Sequence, residues 1–253
     1  MGKLDIKTLG LAGAVGLMAT AALAAAPAYV TAAMNDASRP PADKARDADR
    51  KSEEIVTLTG VKPGQNVADV FPGGGYYTRI FAKVVGPKGH VYGVVPGDLS
   101  ERGFHPSELV RKLAAEPGYE NVSAAVDLLQ TWSPSPKLDL IFISQFYHDM
   151  HNSGFGGPDI AAEDKGLYNA LKPGGVLFII DHSAPAGSGT SATATTHRID
   201  EDVVKAELKA AGFRLVSESE VLRNPADPRT KLVFDPSIRG HTDQFVLKFQ
   251  RPK

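Results

Sequence analysis

At 253 residues the chain is long enough to bury a full core within one domain, and 42% apolar with 23% charged residues is a globular composition, neither fibrous nor disordered. A formal net charge of −1 without a Lys/Arg-rich run gives a polyanion nothing to hold, so nucleic acid is not expected as a partner. The absence of cysteine excludes disulfides, thiolate metal sites and cysteine nucleophiles together.

Lys3 and Lys7 precede an Ala-rich apolar stretch from Leu9 to about Ala26, and Ala24, Ala26 and Ala28 supply the small-residue pattern at which signal peptidases cut. The pattern predicts a signal peptide over 1–28, export to the periplasm or beyond the cell, and no stable membrane insertion once the signal is removed. An uncleaved anchor is the alternative, disfavoured because alanine contributes little to insertion. The first arginine is Arg39, so no twin-arginine signal is present; the general route threads an unfolded chain, and any cofactor would be acquired after export. Residues 29–52, polar from Asn35 onward and rich in Ala, Asp, Arg and Pro, read as a linker or arm, and 53–253 as one domain.

Residues 53–58 read as the end of a helix, and Lys62-Pro63-Gly64-Gln65 as a turn into an apolar strand over 67–71. Helical spacing follows over 77–85, a strand over 90–95, a helix over 107–115 and a strand over 122–126. Then come a strand over 138–144, a helix over 160–171, a strand over 176–181 and a helix over 200–211. Runs at 214–221 and 244–249, joined by a Pro-rich loop, predict a closing antiparallel hairpin. Alternating strands and helices imply an α/β fold, a doubly wound and mostly parallel sheet of seven strands covered on both faces.

The first strand runs through Asp69-Val70-Phe71 into Pro72-Gly73-Gly74-Gly75 and then into a helix at Tyr76-Tyr77-Thr78. Ligands of open α/β sheets bind at this carboxyl edge. Glycines there let a ligand approach the backbone, although tight turns also use glycine for steric reasons alone. The run resembles the first motif of class I S-adenosylmethionine-dependent methyltransferases, an acid followed by G-x-G-x-G. The resemblance continues through 89–94, 138–141, 171–177 and 211–213, and it is strongest to exported methyltransferases of unknown substrate. It implies a Rossmann-like methyltransferase sheet, S-adenosylmethionine as cofactor and transfer of a methyl group to a small-molecule acceptor. It also implies cofactor contacts at Asp69, Gly73, Gly75 and Asp127, with Phe71, Gly74 and Tyr76 as neighbours. Two positions depart from the family pattern. Phe71 stands where the motif has its first glycine, and Val95, followed by Pro96, stands where an acid holds the ribose hydroxyls. Leaving those hydroxyls unpaired costs about 1–3 kcal/mol, unless Asp98 substitutes.

His148 and His151 follow the fourth strand, His182 follows Asp181 at the end of the fifth, and His197 precedes Arg198. Adjacent parallel strands bring these ends together, and a neutral imidazole there can remove a proton from an acceptor as it is methylated. His148 and His182 are the candidate catalytic residues. The same groups, His148 and His151 with Asp149, Asp181 or His182, also suit zinc, copper or nickel, and loop histidines are often only structural. An exported, non-catalytic binding protein on the same scaffold is therefore the competing reading. The small residues of 187–191 predict a mobile loop that could act as a lid over the site, although flexible surface loops usually carry no such role. Asp200-Glu201-Asp202 reads as the acidic opening of a helix. Ser188 and Ser191 lack the strand-to-helix setting of a serine hydrolase.

Overall fold

The computed structural model describes residues 25–96, 105–152 and 159–253. Seven strands form one sheet: β1 (Asn66–Val70), β2 (His90–Pro96), β3 (Val122–Asp127), β4 (Leu138–Ser144), β5 (Leu171–His182), β6 (Arg214–Ser219) and β7 (Gln244–Gln250). Their order is β3-β2-β1-β4-β5-β7-β6. The first five are mutually parallel, and β7 runs antiparallel between β5 and β6. This is the expected doubly wound sheet with its terminal hairpin.

Side-chain alternation explains the layers. On β4, Leu140 and Phe142 enter one apolar cluster while Ile141 and Ile143 enter the other, and none of the four is more than 2% exposed. A strand buried on both faces reads as a continuous apolar run rather than an alternating one. The first cluster is closed by α1 (Ala28–Asn35), α3 (Ser52–Thr59), α4 (Tyr76–Val85) and α5 (Pro106–Ala114). The second is closed by α7 (Ile160–Ala170) and α9 (Glu201–Ala211). Three single-turn helices complete the set, α2 (Pro41–Lys44), α6 (Tyr147–Met150) and α8 (Thr193–Thr196).

Three expectations are corrected. Residues 29–52 are not an arm standing off the domain: Val30, Ala33 and Met34 of α1 lie in the first cluster. Arg39 is buried, donating to Met34 O and in a two-pronged ion pair with Asp47. A planar guanidinium satisfied by several acceptors can be buried where an unpaired charge cannot. Second, β5 starts at Leu171 rather than 176, because Leu138 pairs with Leu171 across a register shift before regular pairing resumes at Leu140 and Val176. Third, the 187–191 loop is tied down: Asp200 Oδ2 accepts from Gly187 N at 2.6 Å, while its other oxygen caps α9 through Asp202 N. The acidic opening of α9 thus does the work expected of it. Among the described residues, no helix is long and apolar enough to cross a membrane.

Candidate active site

The turn after β1 is built by a buried staple. Asp69, 3% exposed, accepts a 2.6 Å hydrogen bond from Thr78 Oγ1 in the first turn of α4, locking the strand end to the helix start. Burial pushes the Asp69 carboxyl up to about 7, against the Thr78 hydrogen bond and the Arg50 charge that favour its ionised form. The intervening Gly73 and Gly75 have φ of 56° and 83°, the left-handed region where only glycine is unstrained. A Cβ on Gly73 or Gly74 would meet nothing within 4 Å, so the turn faces open space. At Gly75 a Cβ would lie 2.7 Å from Leu113 Cδ2, so that glycine serves the packing of α5.

Phe71 adopts a left-handed φ of 54°, and its ring stacks on Phe146 at 4.3 Å and 12°. The backbone at this position therefore keeps the conformation that a motif glycine takes freely, at a cost of roughly 1–2 kcal/mol for an L-residue. Asp127 is exposed at the end of β3, accepting from Leu128 N at 2.8 Å. Val95 is 1% exposed and apolar, and Asp98 lies outside the described residues. Tyr76 departs from the cofactor-neighbour expectation: its hydroxyl donates to Asp47 and contacts Ser52, and Arg39, Arg46 and Arg50 lie over its ring. Burial raises its pKa further above the ordinary value. Tyr77, the next residue, faces the cavity described below.

At the ends of β4 and β5 the histidines converge on Asp181. Its Oδ1 accepts from His148 Nδ1 at 2.7 Å and from His182 N at 2.8 Å, and its Oδ2 accepts from His148 N at 2.8 Å. Burial opposes charge on His148, but Asp181 overcomes it, so the pKa of His148 is raised. His182 is pushed down to about 3, by burial first and by His148 and Arg198 besides. It is a neutral imidazole, paired with Thr242 Oγ1 at 2.8 Å, and at that pKa a weak base. His151 leaves the group, with Nε2 3.2 Å from Glu207 Oε2. His197 joins it: its Nδ1 lies 3.3 Å from His148 Nε2 and 3.3 Å from Asp149 Oδ1. The trio His148, Asp149 and His197 has metal-ligand spacing, whereas the expected His148–His151 pair does not.

A cavity of about 520 Å³ opens over β4 and β5, a size suited to a small metabolite. Its floor includes Tyr77, Ser144, Gln145 and His182, and Thr242 and Gln244 stand at the start of β7. Of the two candidate catalytic histidines only His182 lines it. Arg46, Arg50 and Arg239 also line it, against a single carboxylate, Asp49. Among the described residues none of these arginines sits in an ion pair, and Arg50 Nε is buried with no hydrogen-bond partner. Sequence reasoning missed all three. The i, i+4 spacing of Arg46 and Arg50 inside the supposed arm was the available signal; Arg239 carried none.

A ubiquinone/menaquinone biosynthesis C-methyltransferase of Escherichia coli K12 is 30% identical to this chain over 198 residues, 76% of this chain and 66% of the relative. The chain thus spans just under two thirds of the length of the curated relatives it matches. Among solved structures, an S-adenosylmethionine-dependent methyltransferase from Aquifex aeolicus superposes with a TM-score of 0.56 at 23% identity, covering 78% of this chain and 88% of that one. The [4+2]-cyclase SpnF gives 0.60 at 16% identity, covering 81% of each; at such identities the likeness is one of fold. No family model matches the chain.

Proposed function

We propose that this chain, which resembles S-adenosylmethionine-dependent methyltransferases in sequence and shares their fold, is such a methyltransferase and transfers a methyl group to an anionic small molecule held over β4 and β5. The observation that carries the acceptor class is the cavity wall, where three arginines face one aspartate and, among the described residues, none of the three forms an ion pair, Arg50 lying over Tyr76 and Tyr77 and acting on the buried Asp69 from a distance. Guanidinium groups bind carboxylate or phosphate oxygens through paired hydrogen bonds, and a wall with three of them against one carboxylate favours an anion.

The residues at the glycine turn fit the family's cofactor. Gly73 and Gly74 leave the backbone approachable, and Asp127 is exposed to contact the adenine end. When bound, S-adenosylmethionine supplies an electrophilic methyl group on a sulfonium. The chain contributes binding and orientation: arginines hold the acceptor's anionic end, and Gln145, His182 and Thr242 present polar atoms to the rest of it. Asp69 acts through the turn it braces, not by contact. His148 stands behind this wall, so we assign it no proton transfer from the acceptor.

The test is a radiolabelled methyl-transfer screen with carboxylate, phosphate and neutral acceptors of matched size, repeated with Arg50→Ala. Turnover confined to anionic acceptors, with KM raised roughly tenfold or more by the loss of one charge-assisted contact, supports the reading. Preference for neutral acceptors refutes the acceptor class. No cofactor binding by calorimetry refutes methyl transfer itself and leaves the binding-protein reading.

We further propose export, supported by the Lys3/Lys7 start, the Ala-rich stretch and the A-x-A pattern. Residues 1–24 lie outside the described residues. Helix α1 starts at Ala28, so cleavage after Ala26 leaves it whole. Amino-terminal sequencing of the protein from fractionated cells tests this, and recovery of Met1 in the cytoplasmic fraction refutes it.

A further inference from the structure

We propose that His148, Asp149 and His197 form a binding site for a zinc-type divalent ion, with three protein ligands and a fourth, open vertex. Donor atoms are the first argument. Asp181 holds the proton on His148 Nδ1, so in the neutral ring Nε2 is the lone-pair nitrogen, the one a metal would take in place of a second proton. This Nε2 points to His197 Nδ1 at 3.3 Å and to Asp149 Oδ1 at 3.5 Å, and those two atoms are themselves 3.3 Å apart. A proton or a metal cation must sit between His148 Nε2 and His197 Nδ1, and Asp149 Oδ1, which also accepts from Asn152 Nδ2 at 3.0 Å, completes the triangle.

The triangle's size selects the cation. In a tetrahedron the ligand–ligand edge is about 1.63 times the bond length, so zinc–nitrogen and zinc–oxygen bonds of 2.0–2.1 Å set ligands roughly 3.3–3.4 Å apart. The two 3.3 Å edges agree, and the 3.5 Å edge from His148 Nε2 to Asp149 Oδ1 is slightly longer. An octahedral ion with the same edges would need bonds of about 2.4 Å, the length of calcium–oxygen contacts, and calcium does not choose imidazole. Copper(II) and nickel(II) favour planar arrangements. The two imidazole planes cross at 89°, so one ion can lie in both ring planes, which stacked parallel rings would forbid.

The surroundings suit an ion as well. Asp181 behind His148 makes the carboxylate–histidine–metal relay common to such sites, and Asp149 with Asp181 supplies two negative charges to balance a dication. His197 is held in a left-handed φ of 55° at the end of α8. Its neighbour Arg198 is anchored to Asp227, Ser183 O and Lys231 O. The His197 side chain is 27% exposed, which leaves an entry path from solvent, while His148 is buried.

The experiment uses the full chain, stripped with chelator, titrated with zinc sulfate by calorimetry and separately with cobalt(II) followed by visible absorption. One equivalent of zinc, an intense four-coordinate cobalt spectrum, and affinity lowered more than about 100-fold in His197→Ala and Asp149→Asn are expected. Asp181→Asn should weaken binding about 10–100-fold, and His151→Ala should leave it unchanged. The melting temperature of each metal-free variant checks its fold; the parent's stoichiometry and cobalt spectrum decide the matter even where a variant fails to fold. No zinc uptake, a weak six-coordinate cobalt spectrum, or binding unaffected by losing His197 overturns the site and leaves a proton as the cation in the triangle.

Discussion

Replacing Asp69 by asparagine tests the account of the glycine turn, because the carboxyl's state and its bracing role separate with pH. Folding moves the group from an ordinary 3.8 to about 7, roughly three units at 1.36 kcal/mol each, or about 4 kcal/mol between the two protonation states. The folded protein holds this proton more tightly than the unfolded chain, so the contribution is fully present below pH 3.8. It declines as pH rises and is gone above the folded pKa, near pH 7. The substituted amide cannot ionise but keeps an oxygen to accept from Thr78. The stability of the parent minus that of Asp69→Asn should therefore fall by up to about 4 kcal/mol between pH 4 and pH 8, measured by urea denaturation at several pH values. Asp164, which burial pushes up to about 8, gives both proteins the same additional slope and cancels in the difference. A difference that is flat across this range would mean the carboxylate is ionised in the fold throughout, and would refute the desolvated staple; a rising one would reverse its sign.

Phe71→Gly relieves the left-handed backbone but removes the stack on Phe146. A gain of about 1 kcal/mol against a loss of about 1.5–3 kcal/mol should lower the melting temperature by a few degrees while tightening S-adenosylmethionine binding several-fold; weaker binding by calorimetry would contradict the claim that this ring replaces a motif glycine. Gly166→Ala would place a Cβ 2.0 Å from the Leu129 carbonyl oxygen, so denaturant titration should show a loss of about 3 kcal/mol or more from overpacking, whereas Gly187→Ala, with nothing within 4 Å, should cost only about 1 kcal/mol for its positive φ.

The inner strands β1, β4 and β5 were legible because double burial writes them as apolar runs, and the turn after β1 because glycine at left-handed φ has few substitutes. What was hidden depended on partners distant in the chain. Residues 29–52 looked like a linker because their contribution is partly made by polar side chains: Arg39 and Asp47 enclose Tyr76, and a composition rich in Arg and Asp does not distinguish a satisfied guanidinium from a solvated one. The same blindness concealed Arg46 and Arg50 as cavity walls. His197 is the clearest case. H-x-x-H invited a pairing of His148 with His151, yet a single-turn helix sends His151 toward Glu207 instead. The true neighbour of His148 lies 49 positions away. It arrives because Ile199 N donates to His182 O and Ala184 N donates to Ile199 O, zipping the segment after α8 onto the end of β5. That zipper has no sequence signature of its own, and without it no spacing rule could place His197 beside Asp149. The third ligand follows from the backbone pairing of 182–184 with 199, and the motif that drew attention to this rim supplied two of the three members, His148 and Asp149, while its second histidine, His151, is not among them.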